Sequence, residues 1–307
     1  MPTNHPDPAP DRTGSPPGRP GTTPGRPDAT PGRSGHTPRR PDPASAHPRP
    51  DPEHPRPAFD FHVRLRPTAG AVADLLRAMD AHGIGRALVC AGGTLPPARI
   101  SRQVIEGGGT TEDADNGAVR AACAAHPRRL VPCYFANPHR PVVAYRAAAP
   151  NFRAVEVSPA VHGVPLADPR TDALVAVAGE VGHSVYAVCL QQEGSGVADL
   201  ARLAARHPEV TFVLGHCGIG NIDLYGLTLV RDLPNVLVET SGGYTLVLRA
   251  ALAELGPDRV LFGSEYPLQD PAVELAKYAV LGLPPDMLRG ALGDNARRVL
   301  KEPAARR

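Results

Sequence analysis

"FDFHVRLRP", residues 59–67, is the stretch on which the fold turns. It reads as a short apolar strand that ends in His62-Val63-Arg64. Residues two apart on a strand share a face, so His62 and Arg64 point the same way. The pattern looks like a His-x-His metal pair with arginine in the second place. Seven more apolar runs follow: "RALVCA", "RLVPCYF", "FRAVEV", "SVYAVCL", "VTFVLG", "NVLVET" and "RVLFGS". Amphipathic segments such as "AGAVADLLRAMDAHG" and "DNGAVRAACAAHP" lie between them and stop at Gly or His-Pro, as helix C-termini prefer. Strands buried on both faces and alternating with helices imply a parallel sheet. Eight such units predict a closed (β/α)8 TIM barrel whose working face lies at the C-terminal strand ends.

Upstream the texture is different. Met1 to Pro57 contains no Leu, Ile, Val, Phe, Tyr or Trp and holds 18 of the 37 prolines. Such a segment cannot bury enough apolar surface to offset the entropy of ordering, so residues 1–57 are expected to form a disordered Pro/Gly/Arg-rich tail. A seven-residue step runs through it ("PGRPGTT", "PGRPDAT", "PGRSGHT") without the apolar a and d positions of a coiled coil. It reads as a linker or solubilising arm, or as a proline-rich peptide that docks a partner domain. The barrel is expected over residues 58–302.

The formal net charge is +2, and no basic stripe suits a nucleic-acid backbone. No run is long enough for a membrane span, and the N-terminus lacks a signal-peptide core. A cytoplasmic protein acting on a small molecule is expected, with a homodimer allowed. Cys90, Cys123, Cys133, Cys189 and Cys217 are widely spaced and include no CxxC pair, which argues against a disulfide framework or structural zinc.

Most strands deliver a polar residue to the working face. The first gives His62 and Arg64, the third Asn137, and the fourth Glu156 and Ser158. The fifth leads into "LQQEG", the sixth into His216, the seventh into Glu239 and the eighth into Glu265.

From Phe59 to Leu300 the chain resembles the amidohydrolase superfamily, in its amidohydrolase-related group of barrel hydrolases, lactonases and decarboxylases. The resemblance rests on "DFHVRL", "HPRRLVPCYFANP", "GVPLADPR", "VLGHCG", "NVLVETSG", "RVLFGSEYP" and "GDNARRVL". It implies one divalent metal, held by His-x-His on strand one, a strand-five His and a strand-eight Asp, with a strand-six His assisting. Here His62 and His216 match, Arg64 replaces a ligand, strand five has only Gln191 or Gln192 nearby, and Glu265 stands for Asp. If a metal such as zinc or manganese binds at all, His62, His216 and Glu265 would hold it. Arginine has no lone pair to donate. A divalent ion ~4 Å from its charge would be opposed by roughly 8 kcal/mol at an effective dielectric near 20.

The expectation is therefore a site without cofactor, in which Arg64 pairs with Glu265, Glu156 or Glu239 and does the electrostatic work of the ion. Arg64, Asn137, Glu156 and Glu239 would bind substrate. His216 would be the general base, since imidazole titrates near neutral pH, with His62 and Glu265 orienting it. The predicted activity is hydrolysis of a small carboxylate-bearing lactone, ester or amide. The competing readings are an inactive barrel kept as a binding or scaffold protein, and a metal-dependent decarboxylase or hydrolase. Cys217 is expected to face away from His216, and "GGG" at 107–109 to belong to a flexible lid.

Overall fold

A computed structural model describes residues 57–302; the expected tail lies outside the described residues. Eight parallel strands follow one another in sheet order, each beside its sequence neighbour. They are β1 (Ala58–Leu65), β2 (Ile84–Ala91), β3 (Leu130–Phe135), β4 (Ala154–Val157), β5 (Ser184–Ala187), β6 (Phe212–Leu214), β7 (Val236–Glu239) and β8 (Val260–Leu261). All eight sequence runs supply a strand, and the (β/α)8 barrel is the fold observed.

The two ends of the sheet meet through the segment after β8. Phe61 donates its N–H to the Phe262 carbonyl at 2.8 Å, Glu265 to that of His62 at 2.8 Å, and Arg64 to that of Tyr266 at 2.7 Å. These bonds set the residue after Ser264 directly against the end of β1, which makes one mouth out of the first and last strands.

Between strands, helices begin and end on local chemistry. In Pro169–Val181 and Pro271–Leu281 an Asp caps the N-terminus, proline takes the first turn, and a left-handed glycine, Gly182 or Gly282, ends the helix. Their apolar faces cover the strands, so the β-strand residues facing outward are buried: Phe59, Phe61, Val155, Val185 and Phe212 have almost no exposed surface. All five cysteines are free and buried. Among the described residues no helix is long and apolar enough to cross a membrane.

The loop at 107–115 is fastened rather than free, contrary to the expected flexible lid. Thr110 donates its N–H to the Val161 carbonyl at 2.9 Å, and His162 Nδ1 lies 3.0 Å from the Thr110 carbonyl. Gly109 packs so tightly on His162 that an added Cβ would lie 2.3 Å from its carbonyl oxygen. Gly109 is therefore a packing residue, whereas a Cβ at Gly107 would meet nothing within 4 Å.

Candidate active site

On β1 the even positions face into the barrel, and they form a polar ladder of Asp60, His62 and Arg64. Arg64 meets Glu156 of β4 in a two-pronged pair, with Nη1 to Oε2 at 2.9 Å and Nη2 to Oε1 at 2.6 Å. Its guanidinium also lies 5.3 Å from the centre of the Phe135 ring. Of the three carboxylates weighed for it, Glu156 is the partner. Burial pushes the Glu156 carboxyl up, but Arg64 and then His62 outweigh burial and hold it down at about 2.

His62 lies between this pair and the opposite wall. Its Nε2 is 3.5 Å from Glu156 Oε2, and neither ring nitrogen has a hydrogen-bond partner. Burial, together with the Arg64 charge, lowers its basicity. Tyr186 of β5 stacks on it, 4.2 Å between centroids and 12° from parallel. The strand on which the resemblance places a histidine thus delivers a tyrosine, and neither Gln191 nor Gln192 takes that place; Gln192 donates to the Val104 carbonyl at 2.6 Å. Burial, with Glu239 and Glu156 nearby, pushes the Tyr186 phenol well above its usual range. It stays protonated and donates to Glu239 Oε2 at 2.8 Å.

Glu239 is the hub of the far wall. Besides Tyr186, its Oε2 accepts from the Ser241 hydroxyl at 2.9 Å and the His216 N–H at 3.2 Å, and its Oε1 accepts from the Ser241 N–H at 2.6 Å. Burial opposes ionisation, but the His216 and His62 imidazoles and these donors lower its pKa. The Ser241 proton goes to the charged carboxylate, so Ser241 Oγ accepts from His216 Nδ1, 2.9 Å away. Glu265 Oε2 lies 3.6 Å from the same nitrogen. His216 is thereby held as the Nδ1–H tautomer, and its Nε2 lone pair has no protein partner among the described residues.

His216, Cys217 and Glu265 all have left-handed backbone, with φ of 58°, 57° and 57°. Cys217 follows His216 in this turn rather than on a strand, and its Sγ packs on Gly243, where an added Cβ would lie 2.8 Å away; it is fully buried, and burial raises its thiol pKa.

Asn137 is not part of this arrangement. Its amide donates to the Thr111 and Glu112 carbonyls and to Asp113 Oδ1, and its carbonyl accepts from the His139 N–H at 3.0 Å. It ties the 107–115 loop down, and that loop takes up its amide N–H groups. Asp60, Tyr186 and Ser241 are the residues that sequence reasoning missed. Asp60 accepts N–H bonds from Ser264 at 2.9 Å and His62 at 3.1 Å; burial nevertheless pushes its carboxyl up to about 7. Counting two residues back from His62 would have found it.

One nitrogen each of His62 and His216 and an oxygen of Glu239 lie within 4.8 Å of one another, the spacing of a metal site, with Glu239 rather than Glu265 as the carboxylate. The His62 nitrogens are free for such a role, but Glu239 does not fit it. A carboxylate oxygen offers two lone pairs, and Oε2 already serves three donors. Oε1 serves one donor, and its other side abuts Gly263, where a Cβ would lie 2.3 Å away. A divalent ion would have to displace Ser241 or Tyr186, so this donor set does not fit a metal.

A barrel with ionisable residues gathered at its C-terminal mouth is the architecture of a large enzyme class. The amidohydrolase family model matches residues 59–301, and the chain belongs to that family. None of the curated proteins matches it in sequence. Among solved structures it is similar to 5-carboxyvanillate decarboxylase from Novosphingobium aromaticivorans, which carries bound manganese, at 15% identity over 81% of this chain and 98% of that one, TM-score 0.61. It is also similar to an uncharacterised TIM-barrel protein from Bordetella bronchiseptica (18% identity, 80% and 98% covered, TM-score 0.63). A third is a Pseudomonas putida protein provisionally assigned as a 2-pyrone-4,6-dicarboxylic acid hydrolase (20% identity, 80% and 97% covered, TM-score 0.59). At these identities the likeness establishes the fold alone.

Proposed function

We propose that the chain is a cytoplasmic hydrolase of a small lactone, ester or amide that works without a bound metal. The observation that supports this best is the relay Glu239–Ser241–His216. It presents one unshared imidazole lone pair while a buried carboxylate stabilises the charge that proton uptake creates. His216 would take a proton from water as the water attacks the carbonyl carbon, then return it to the leaving oxygen or nitrogen. Glu265 and His62 flank the imidazole and orient it.

Arg64 supplies the fixed positive charge of the site, and two of its N–H groups are bound to Glu156. Its remaining donors are what it has to offer a developing oxyanion or a substrate carboxylate. Glu156 and Glu239 therefore act by holding Arg64 and His216 rather than by touching substrate. This is a change from the substrate-binding role first given to Glu156 and Glu239, and it leaves Asn137 as a loop anchor.

The test is turnover of a lactone and ester panel by protein purified without added metal. Activity unchanged by chelator, and lost by about 100-fold or more in His216→Ala, is expected. Near-stoichiometric zinc or manganese, with activity abolished by chelator, would instead establish the metal-dependent reading. A folded protein inert on the whole panel, with His216→Ala indistinguishable from wild type in ligand binding, would favour the scaffold.

A further inference from the structure

On the opposite face of the barrel, at the N-terminal strand ends, lies a second cleft of about 440 Å³. Its place is fixed by Leu130, the first residue of β3, by Arg153, directly before β4, and by Lys301 in the closing segment. This is the face away from the His216 mouth, so the catalytic arrangement does not account for it.

The charge of this cleft is one-sided. Arg86, Arg120, Arg153 and Lys301 line it against a single acid, Glu302. Glu302 is already bound to Arg86, whose other terminal nitrogen donates to the Arg128 carbonyl at 2.9 Å. Among the described residues, three cations are left without a carboxylate. Lys301 donates once, to the Gly182 carbonyl at 3.1 Å, and Arg153 once, to the Phe152 carbonyl at 2.9 Å. Arg120 has no partner among the described residues. Between these heads the lining includes the apolar side chains of Leu130, Pro132, Pro150 and Leu300. Three unneutralised cations around one concavity repel each other, and a multivalent anion relieves that repulsion.

We propose that this cleft binds a phosphate monoester with a flat apolar body, of the size of a nucleoside monophosphate. The phosphate dianion matches the surplus charge and sits among Arg120, Arg153 and Lys301, while the flat body lies on the proline and leucine wall. The volume falls in the range of small-molecule sites. The cleft is a binding site and not a second catalytic centre: Cys123, the nucleophilic side chain in its lining, is buried, and burial pushes its thiol up to about 12.

The experiment is calorimetric titration of the full-length chain with AMP, adenosine and inorganic phosphate. One AMP per chain is expected, binding at least about tenfold tighter than adenosine, and weakened by added salt. The double variant Arg120→Ala/Arg153→Ala, whose side chains are exposed, should fold normally and lose at least about tenfold in AMP affinity. His216→Ala should bind AMP as wild type does, which separates this site from the proposed active site. The proposal is overturned by no AMP binding at ~1 mM, by full affinity in the double variant, or by loss of binding in His216→Ala. Inorganic phosphate binding as tightly as AMP would overturn the flat-bodied class of ligand.

Discussion

At the scale of single residues, two buried carboxyls with opposite displacements give the protein a pH signature. Glu156 is held down at about 2. Its contribution is therefore present above pH 4.5 and is lost as pH falls toward 2. Asp60 is pushed up from 3.8 to about 7 by burial, so the folded state favours its proton. That contribution is full below pH 4 and is lost as pH rises through 7. Denaturant titrations from pH 4 to 8 should show stability falling across the window, and Asp60→Asn should flatten the decline; an unchanged slope would mean that Asp60 ionises normally. Ser241→Ala breaks the link between His216 and Glu239 and frees the imidazole to adopt the other tautomer. We expect kcat to drop by at least about tenfold with little change in KM. A change confined to KM would place Ser241 in substrate binding instead.

Within single elements, what the chain discloses depends on whether period or contact decides the matter. The eight apolar runs were legible because burial on both faces leaves an unmistakable composition, and His62, Arg64, His216 and Glu265 were legible as polar interruptions at strand ends. Tyr186 was not, because an aromatic within "SVYAVCL" is indistinguishable from core until β4 and β6 are set beside it. Asn137 misled for the converse reason: its position at the end of β3 is right, but the loop at 107–115, distant in sequence, claims its amide. Small residues make the room. Gly215, at the end of β6, leaves space for the Tyr186 ring, and an added Cβ would lie 2.5 Å from the phenol oxygen. Gly215→Ala should therefore cost about 1–3 kcal/mol in stability and reduce turnover by disturbing the Tyr186–Glu239 bond. Denaturant midpoints and kcat on one preparation measure both, and a variant matching wild type in each would show that the ring adjusts freely.

For the whole molecule, closure and chemistry share the same residues. The backbone bonds from Phe61, Arg64 and Glu265 that bring the ends of the sheet together also fix the first and last strands' site residues. Loosening the seam would therefore loosen the site. All eight strands begin at or after Ala58. A chain beginning at Pro57 should melt within about 2 °C of the full-length protein and keep its turnover. A large drop would mean that the first 56 residues contribute to the folded barrel.

Two neighbouring side chains of the mouth, His216 and Glu265, stand on backbone that ordinarily belongs to glycine, at a cost of roughly 1–3 kcal/mol each. Glu265 is partly exposed, so exchanging it for glycine removes that cost with little packing lost, and Glu265→Gly should raise the melting temperature while depressing catalysis. Directed evolution for heat tolerance alone would then drift toward inert variants, because the conformations that aim the working groups are the ones thermostability screens discard.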